Sequence, residues 1–303
     1  MSLSWVMLAL ASAFISGVVN IFDKTFMHKY ARTVQTLPVL VGFAQTIIGI
    51  VVLAAVRLPD SVSLSASATA LVSGMLFGVS GATMLWVLFH QEASRTIPVT
   101  QTSPVFAAVF ALVFLGESIT LLQWLAIFAT VSGAVMISLK FDGGFGGINL
   151  NRNFFILILG AGIFAMGSIV GKVALNDLPV MYTHGLRSIG LGSVFLVVHL
   201  RREPLLHVVA FFRERNRGLL VVGVNEFIIA NSSLMLLLWA LSSGPVSLVT
   251  AVVASRAIFA VVFSTAIALV WRGALGEITT PRVIAVKVGS ACLIVLGVVG
   301  IAI

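Results

Sequence analysis

The sequence predicts an all-α, polytopic membrane protein with ten transmembrane helices arranged as a 5+5 inverted repeat. Hydrophobic residues make up 59% of the 303-residue chain and charged residues only 9%, whereas a soluble domain carries about 25% charged residues. Apolar runs of about 20 residues, the length of a spanning helix, recur along the chain. Short sequence features also recur in the same order in the two halves, which is typical of membrane proteins built from internal repeats.

Ten apolar segments meet the length requirement for a membrane helix, and none has the period-two alternation of a barrel strand. The first lacks the positively charged start of a signal peptide, so it is predicted to be a membrane helix. The segments are residues 3–22, 35–56, 65–89, 97–116, 120–139, 153–173, 178–199, 218–241, 246–271 and 283–303.

The repeat is visible in matched residues of the fourth and ninth segments. Glu117 and Glu277 each follow a Leu-Gly pair at the end of these segments, and Pro98 and Pro245 lie at their starts. Because five helices per copy is an odd number, the second copy enters the membrane from the opposite side. The predicted units are residues 1–142 and 153–303, joined by a Gly-rich linker at 143–152.

The basic residues are distributed unequally between the two sides of the predicted bundle. Of the 18 Lys and Arg residues, thirteen lie on one side, only Arg57 and Lys172 lie on the other, and three fall within the predicted segments. The positive-inside rule then places the crowded side in the cytoplasm and both termini outside. This distribution favours membrane orientation over nucleic-acid binding as the reason for the net charge of +8.

No catalytic constellation is recognisable in the sequence. There is no zinc-ligand spacing, nucleophile elbow or Walker loop, and the single cysteine, Cys292, allows no internal disulfide. We therefore expect no enzyme activity, no cofactor and no metal site.

The duplicated elements, taken in order, resemble those of a known family. In the first half they are Asn20-x-x-x-Lys24, Pro98, Ser103-Pro104-Val105-Phe106, Leu115-Gly116-Glu117 and Gly133; in the second they are Lys172, Ala240-Leu241-x-x-Gly244-Pro245, Ser255-Arg256, Leu275-Gly276-Glu277 and Gly297. This series resembles the ten-helix EamA-type branch of the drug/metabolite transporter superfamily over nearly the whole chain. The resemblance implies a central substrate cavity and alternating access. It also implies cytoplasmic termini, so both orientations remain open.

We therefore expect a secondary transporter, an exporter of a small polar or amphiphilic metabolite such as an amino acid, an organic anion or a zwitterion. One alternative is a lipid or lipid-linked sugar flippase of the same superfamily, and another is a non-transporting receptor or scaffold. The expected partners are a small-molecule substrate and membrane lipids, with no nucleic acid. The expected form is a monomer or homodimer in the plasma (inner) membrane of a prokaryote.

Ionisable side chains within membrane segments are costly and are therefore candidates for function. Arg256, and Arg187 with His184 one turn away, are predicted to bind an anionic group of the substrate. Glu226 is predicted to carry a coupling proton. The alternative is that Glu226 forms a structural ion pair with Arg187 or Arg256.

Polar residues near the predicted helix ends and breaks complete the candidate set. The further substrate-binding candidates are Asn20, Lys24, Gln101, Ser103, Asn225 and Ser255. For Lys24 the alternative is snorkelling to the membrane surface. Glu117 and Glu277 are predicted to stabilise helix starts, and Pro98 and Pro245 are predicted to shape the backbone.

Overall fold

The computed structural model of the chain describes residues 4–30, 35–56, 63–90, 99–138, 152–260, 262–263 and 281–302. Within these residues the secondary structure is helical and contains no strand, which agrees with the predicted all-α class. The helices are α1 (Ser4–Lys29), α2 (Thr36–Ala55), α3 (Leu64–His90), α4 (Ser103–Phe114), α5 (Leu121–Ser138), α6 (Arg152–Ala174), α7 (Val180–His199), α8 (Arg202–Arg213), α9 (Arg217–Val224), α10 (Asn231–Ser243), α11 (Val246–Val253) and α12 (Pro281–Ala302).

A helix lies within each of the ten predicted apolar segments. Five helical stretches among the described residues are long and apolar enough to cross a membrane: Ser4–Asp23, Thr36–Ala55, Leu64–Met84, Arg152–Ala174 and Arg217–Ser243. Shorter apolar helices occupy Ser103–Phe114, Leu121–Met136, Val246–Ala260 and Val286–Ile301. The protein is thus an integral, multi-pass membrane protein, while the number of ten spans stays a prediction.

Large apolar side chains face outward on helices throughout the bundle. Ile50 of α2, Leu122 of α5, Leu159 of α6 and Val197 of α7 are all exposed. A soluble protein rarely exposes contiguous apolar surface of this kind, whereas lipid requires it.

Helix α8 lies in a stretch that the sequence analysis treated as a connection. It is amphipathic: Val208 and Phe211 are buried against Phe26 of α1, while Leu206 and Phe212 are exposed. A short helix with this pattern next to membrane segments is typical of one lying in the membrane interface.

The eighth predicted segment is interrupted by a π-helical turn. Helix α9 continues into π-helix at Asn225–Ala230, and the α-helical form resumes in α10. Such π-turns within α-helices occur frequently at functional sites. The turn begins at Asn225 and Glu226, two of the predicted site residues.

Helices from the two halves pack against each other in pairs. The principal pairs are α2 with α7, α5 with α12, α3 with both α6 and α7, and α1 with α10. Serines join two of these pairs: Ser12 Oγ donates to the Ser233 carbonyl at 2.9 Å, and Ser73 Oγ donates to the Gly167 carbonyl at 2.7 Å.

Two helix contacts that are equivalent in the predicted repeat differ in how closely the helices pack. Helix α3 packs closely along α7, and this approach depends on glycine. A Cβ at Gly74 or Gly190 would collide with the backbone of the other helix. In the predicted repeat, the counterparts of α3 and α7 are the 217–243 stretch and α2, and these make few contacts with each other. The bundle is therefore tight between α3 and α7 and loose between α2 and the π-helical stretch.

Two charged side chains hold the turn between α10 and α11. Lys172 Nζ donates to the carbonyl oxygens of Leu241, Ser242 and Gly244 at 2.5–3.3 Å. Glu117 Oε1 accepts from the Val246 N–H at 2.6 Å, and its Oε2 accepts from the Ser247 N–H at 3.2 Å and from Ser247 Oγ at 2.6 Å. Glu117 thus stabilises the start of a helix in the other half, next to Pro245, which occupies the N-cap position of α11.

Candidate functional site

A narrow cavity whose lining is mostly apolar lies between α4, α6 and the region around the end of α11. Its polar lining comes from Gln101, Ser103, Ser168, Thr250 and Arg256. The cavity is small, with a volume of about 10 Å³, which is room for about one water molecule. Three predicted substrate-binding residues, Gln101, Ser103 and Arg256, are therefore brought together.

Arg256 is a half-buried cation without a carboxylate contact among the described residues. Its Nη2 donates to Gln101 Oε1 at a long 3.4 Å, and its Cζ lies 6.0 Å from the centre of the Phe164 ring. A guanidinium in this setting has lost much of its hydration, so binding of an anion there stabilises it more than at an exposed site.

Both Arg256 and Gln101 are positioned by breaks in helices. Helix α11 ends at Val253, and a turn at Ala254 and Ser255 precedes the next helical residues, beginning with Arg256. Gln101 lies in the turn just before α4. Helix breaks inside a membrane bundle expose backbone groups toward a cavity, as at the binding sites of many transporters. Ser255 Oγ is buried at this break and has no hydrogen-bond partner among the described residues.

Arg187 is more deeply buried, with 7% of its surface exposed. Its Cζ lies 4.3 Å from the centre of the Phe77 ring, a cation–π distance. Gly171 lies beside the guanidinium, since a Cβ there would be 3.6 Å from Nη1, an ordinary contact distance. His184, which the sequence places one turn from Arg187, contacts α10: its Nε2 lies 2.5 Å from Asn231 Oδ1.

Two phenylalanine rings connect the arginines. The Phe77 and Phe164 ring centres are 4.5 Å apart. The steps Arg187–Phe77, Phe77–Phe164 and Phe164–Arg256 put the two guanidinium carbons no more than about 15 Å apart. Each arginine therefore lies next to a different ring of one aromatic pair.

The second cluster is acidic and lies where α1, α2 and the π-helical turn meet. Asn225 Nδ2 donates to Asp23 Oδ1 at 2.8 Å and to Glu226 Oε1 at 3.1 Å. Gln45 Nε2 donates to Glu226 Oε2 at 3.5 Å. Among the described residues neither Arg187 nor Arg256 contacts Glu226, so the structure provides no ion pair of the kind that the sequence left open.

The remaining candidates are placed as follows. Asn20 is exposed on α1, one turn beyond Gly17, which packs against Phe259. Pro98, Glu277 and the side chain of Lys24 lie outside the residues that the structure describes, as does the linker at 143–151.

Sequence reasoning missed four residues of these clusters. Asp23 was not among the predicted site residues, although its charge next to a membrane segment was a signal for a functional role. Gln45, which is polar but uncharged, was not among the predicted site residues either. Phe77 and Phe164 carried no signal, because phenylalanine is common throughout an apolar sequence.

Three comparisons with known proteins bear on this arrangement. A model of the EamA-like transporter family matches residues 3–139. A protein of Sinorhizobium sp. described as an uncharacterized transporter in the cobO 3′ region is 26% identical over 145 residues, which cover 46% of this chain and 99% of that protein. A solved crystal structure with 14% identity covers 98% of this chain and 96% of its own, with a TM-score of 0.66, and concerns the fold alone.

Proposed function

We propose that this chain, a membrane transporter of the drug/metabolite transporter superfamily whose residues 3–139 match the EamA-like transporter family, moves a small anionic or zwitterionic metabolite by alternating access. Amino acids and carboxylated metabolites have the required chemistry. Following the resemblance, we propose export across the plasma membrane of a prokaryote.

The observation that carries the substrate class is the pair of arginines, of which Arg256 lines the cavity and Arg187 lies against Phe77. Neither Arg187 nor Arg256 has a carboxylate contact among the described residues. Uncompensated charge within a membrane bundle is costly, and the cost falls when a ligand of opposite charge binds. A carboxylate fits the planar guanidinium of Arg256, with Gln101 and Ser103 as additional hydrogen-bonding groups.

Alternating access is supported by the unequal helix contacts. If the halves exchange conformations, the tight α3–α7 contact and the loose contact between α2 and the 217–243 stretch exchange roles. The present arrangement then corresponds to a state closed along α3 and α7. A receptor or scaffold of fixed shape has no need of this inequality.

Glu226 is proposed to carry a coupling proton. It is buried, with 4% of its surface exposed, and its described partners are amides. A carboxyl that changes protonation at this depth can link a proton gradient to helix movement. Glu226→Gln should abolish flux driven by a pH gradient in proteoliposomes while substrate exchange continues, and unchanged gradient dependence would contradict this role.

A ligand screen by thermal unfolding tests the substrate class directly. Purified protein is heated with amino acids, organic anions, organic cations and polyprenyl-phosphate lipids, and bound ligands raise the melting temperature. For the ligand found, Arg256→Gln should weaken binding about 10- to 100-fold, since a charge-assisted hydrogen bond contributes about 1.5–3 kcal/mol. Arg256→Lys should retain part of the affinity.

Arg202→Gln, on the exposed face of α8, is the matched control and should bind the ligand as the unmodified protein does. Stabilisation by organic cations alone would overturn the proposal. Stabilisation by polyprenyl phosphates, with no response to soluble anions, would favour the flippase alternative.

A further inference from the structure

The acidic cluster at the π-helical turn contains two buried oxygen atoms without a donor. The amide nitrogens of Asn225 and Gln45 are both directed to carboxylate oxygens. Their amide oxygens, Asn225 Oδ1 and Gln45 Oε1, have no hydrogen-bond partner among the described residues. Both side chains are almost wholly buried, with 2% and 1% of their surface exposed. Buried amide oxygens are normally paired, so each requires an explanation.

Acceptors outnumber donors throughout this cluster. Two carboxyl groups, Asp23 and Glu226, share two amides, and no described cationic side chain contacts them. Helices α2 and α10, which pack near the turn, carry no Asp, Glu, His, Lys or Arg, and α9 carries only Arg217 at its first residue. On α1, Asp23 is the titratable group whose side chain the structure describes near the turn. The cluster therefore has excess negative charge and unused oxygen atoms in the same place.

We propose that Asp23, Gln45, Asn225 and Glu226 form a binding site for a hard monovalent cation, with Na⁺ as the ion that fits. All four side chains supply oxygen, which is the donor that hard cations prefer. Four side chains are few for Ca²⁺, which takes six to eight oxygen ligands, and Mg²⁺ loses its water shell reluctantly. The small number of oxygen ligands therefore favours Na⁺ over divalent ions.

Binding requires only small side-chain movements. A half-turn of each terminal amide exchanges its nitrogen and oxygen, so that Asn225 Oδ1 and Gln45 Oε1 face the ion. The ion neutralises the repulsion between the two carboxylates and replaces the amide N–H groups that now bond to them. Without Na⁺, a proton on Glu226 serves the same purpose, so the two ions compete for one site.

The position of the cluster gives an ion both an entrance and an effect. Asp23 is half-buried near the end of α1, whereas Glu226 and Gln45 are buried. Gln45 lies on α2 and Glu226 on the π-helical turn, the two elements whose mutual contact is loose. An ion bound between them draws α2 toward this turn, which is the closure that alternating access requires on this side of the bundle.

The use of a Na⁺ gradient rests on the proposed transport function, but ion binding itself does not. It is tested without substrate by thermal unfolding of purified protein in NaCl, KCl or choline chloride at equal ionic strength and constant pH. We expect a rise in melting temperature that saturates with Na⁺ concentration and is absent in choline chloride. Asp23→Asn and Glu226→Gln should abolish this rise, and Gln45→Leu should shift its midpoint at least tenfold to higher concentration.

Gln123→Leu, at the exposed start of α5, is the matched control and should retain the full response. As a second measurement that needs no variant, binding of ²²Na⁺ to the unmodified protein should be displaced by unlabelled Na⁺ but not by choline. Equal responses to the three salts, an undiminished Na⁺ response in Glu226→Gln, or more effective displacement by Ca²⁺ than by Na⁺ would each overturn the site. Failure of these tests with anion binding at Arg256 intact would leave the proposed transport function standing.

Discussion

The contact of Glu117 with the start of α11 predicts a measurable loss of stability when the carboxylate is removed. Glu117 accepts three hydrogen bonds, two from backbone N–H groups and one from Ser247 Oγ. These N–H groups belong to the first turn of a helix and have no partner within it. Truncation by Glu117→Ala leaves them without an acceptor, and Glu117→Gln keeps one neutral oxygen in place.

The magnitude follows from the number and kind of these bonds. Loss of a helix-capping acceptor costs about 0.5–2 kcal/mol, and hydrogen bonds to a charged group contribute about 1.5–3 kcal/mol. Because Glu117 is half-buried and water can replace part of the lost interaction, we expect about 2 kcal/mol for Glu117→Ala and about 1 kcal/mol for Glu117→Gln. This corresponds to a fall in melting temperature of about 4–8 °C and about 2–4 °C.

The assay is thermal unfolding of the detergent-purified variants, with Glu203→Gln as a matched control. Glu203 is exposed in the first turn of α8, so its replacement should change the melting temperature by about 2 °C or less. In a double-mutant cycle with Ser247→Ala, the double variant should lose less stability than the two single variants added together, since both changes remove the same hydrogen bond. Melting of both Glu117 variants within about 1 °C of the unmodified protein would refute the reasoning.

Three further predictions concern helix packing. Gly74→Ala should lower the melting temperature, because the added Cβ forces α3 away from α7. In the control Gly223→Ala the added Cβ meets no atom within 4 Å, so the melting temperature should stay unchanged or rise. Equal effects of the two changes would contradict the close approach of α3 and α7. Lys172→Met, which removes three hydrogen bonds to the end of α10, should cost about 1–2 kcal/mol by thermal unfolding, and no loss would contradict this role. Phe77→Leu should lower the free energy of unfolding by about 0.5–2 kcal/mol more in the unmodified protein than in an Arg187→Met background. Equal losses in the two backgrounds would exclude a significant cation–π contact.

The sequence predicted the helical class and the position of the helices well. The reason is local: a segment in lipid must satisfy its backbone hydrogen bonds within a helix, so an apolar run of sufficient length specifies its own secondary structure. The exceptions are α8 and the π-helical turn. Helix α8 was not predicted because its apolar residues cover one face only. The π-helical turn was not predicted because a one-residue change in hydrogen-bond register has no compositional signal.

The candidate site was predicted in part. Arg256, Gln101 and Ser103 were selected for their polarity within membrane segments, and the structure places all three at one cavity. Glu226 and Asn225 were selected on the same ground, but the arrangement of Asp23 and Gln45 around them required knowledge of how α1 and α2 pack.

By itself the sequence determined that the chain is a membrane helical bundle with a few costly polar groups in its interior, since the transfer energies of side chains and backbone into lipid depend on residue type alone. Only the tertiary structure decided which polar groups meet. Glu226 bonds to amides instead of an arginine, and the two arginines flank an aromatic pair. These contacts join residues up to about 200 positions apart, and they depend on the relative rotation and depth of whole helices, which packing of small residues at their contacts controls.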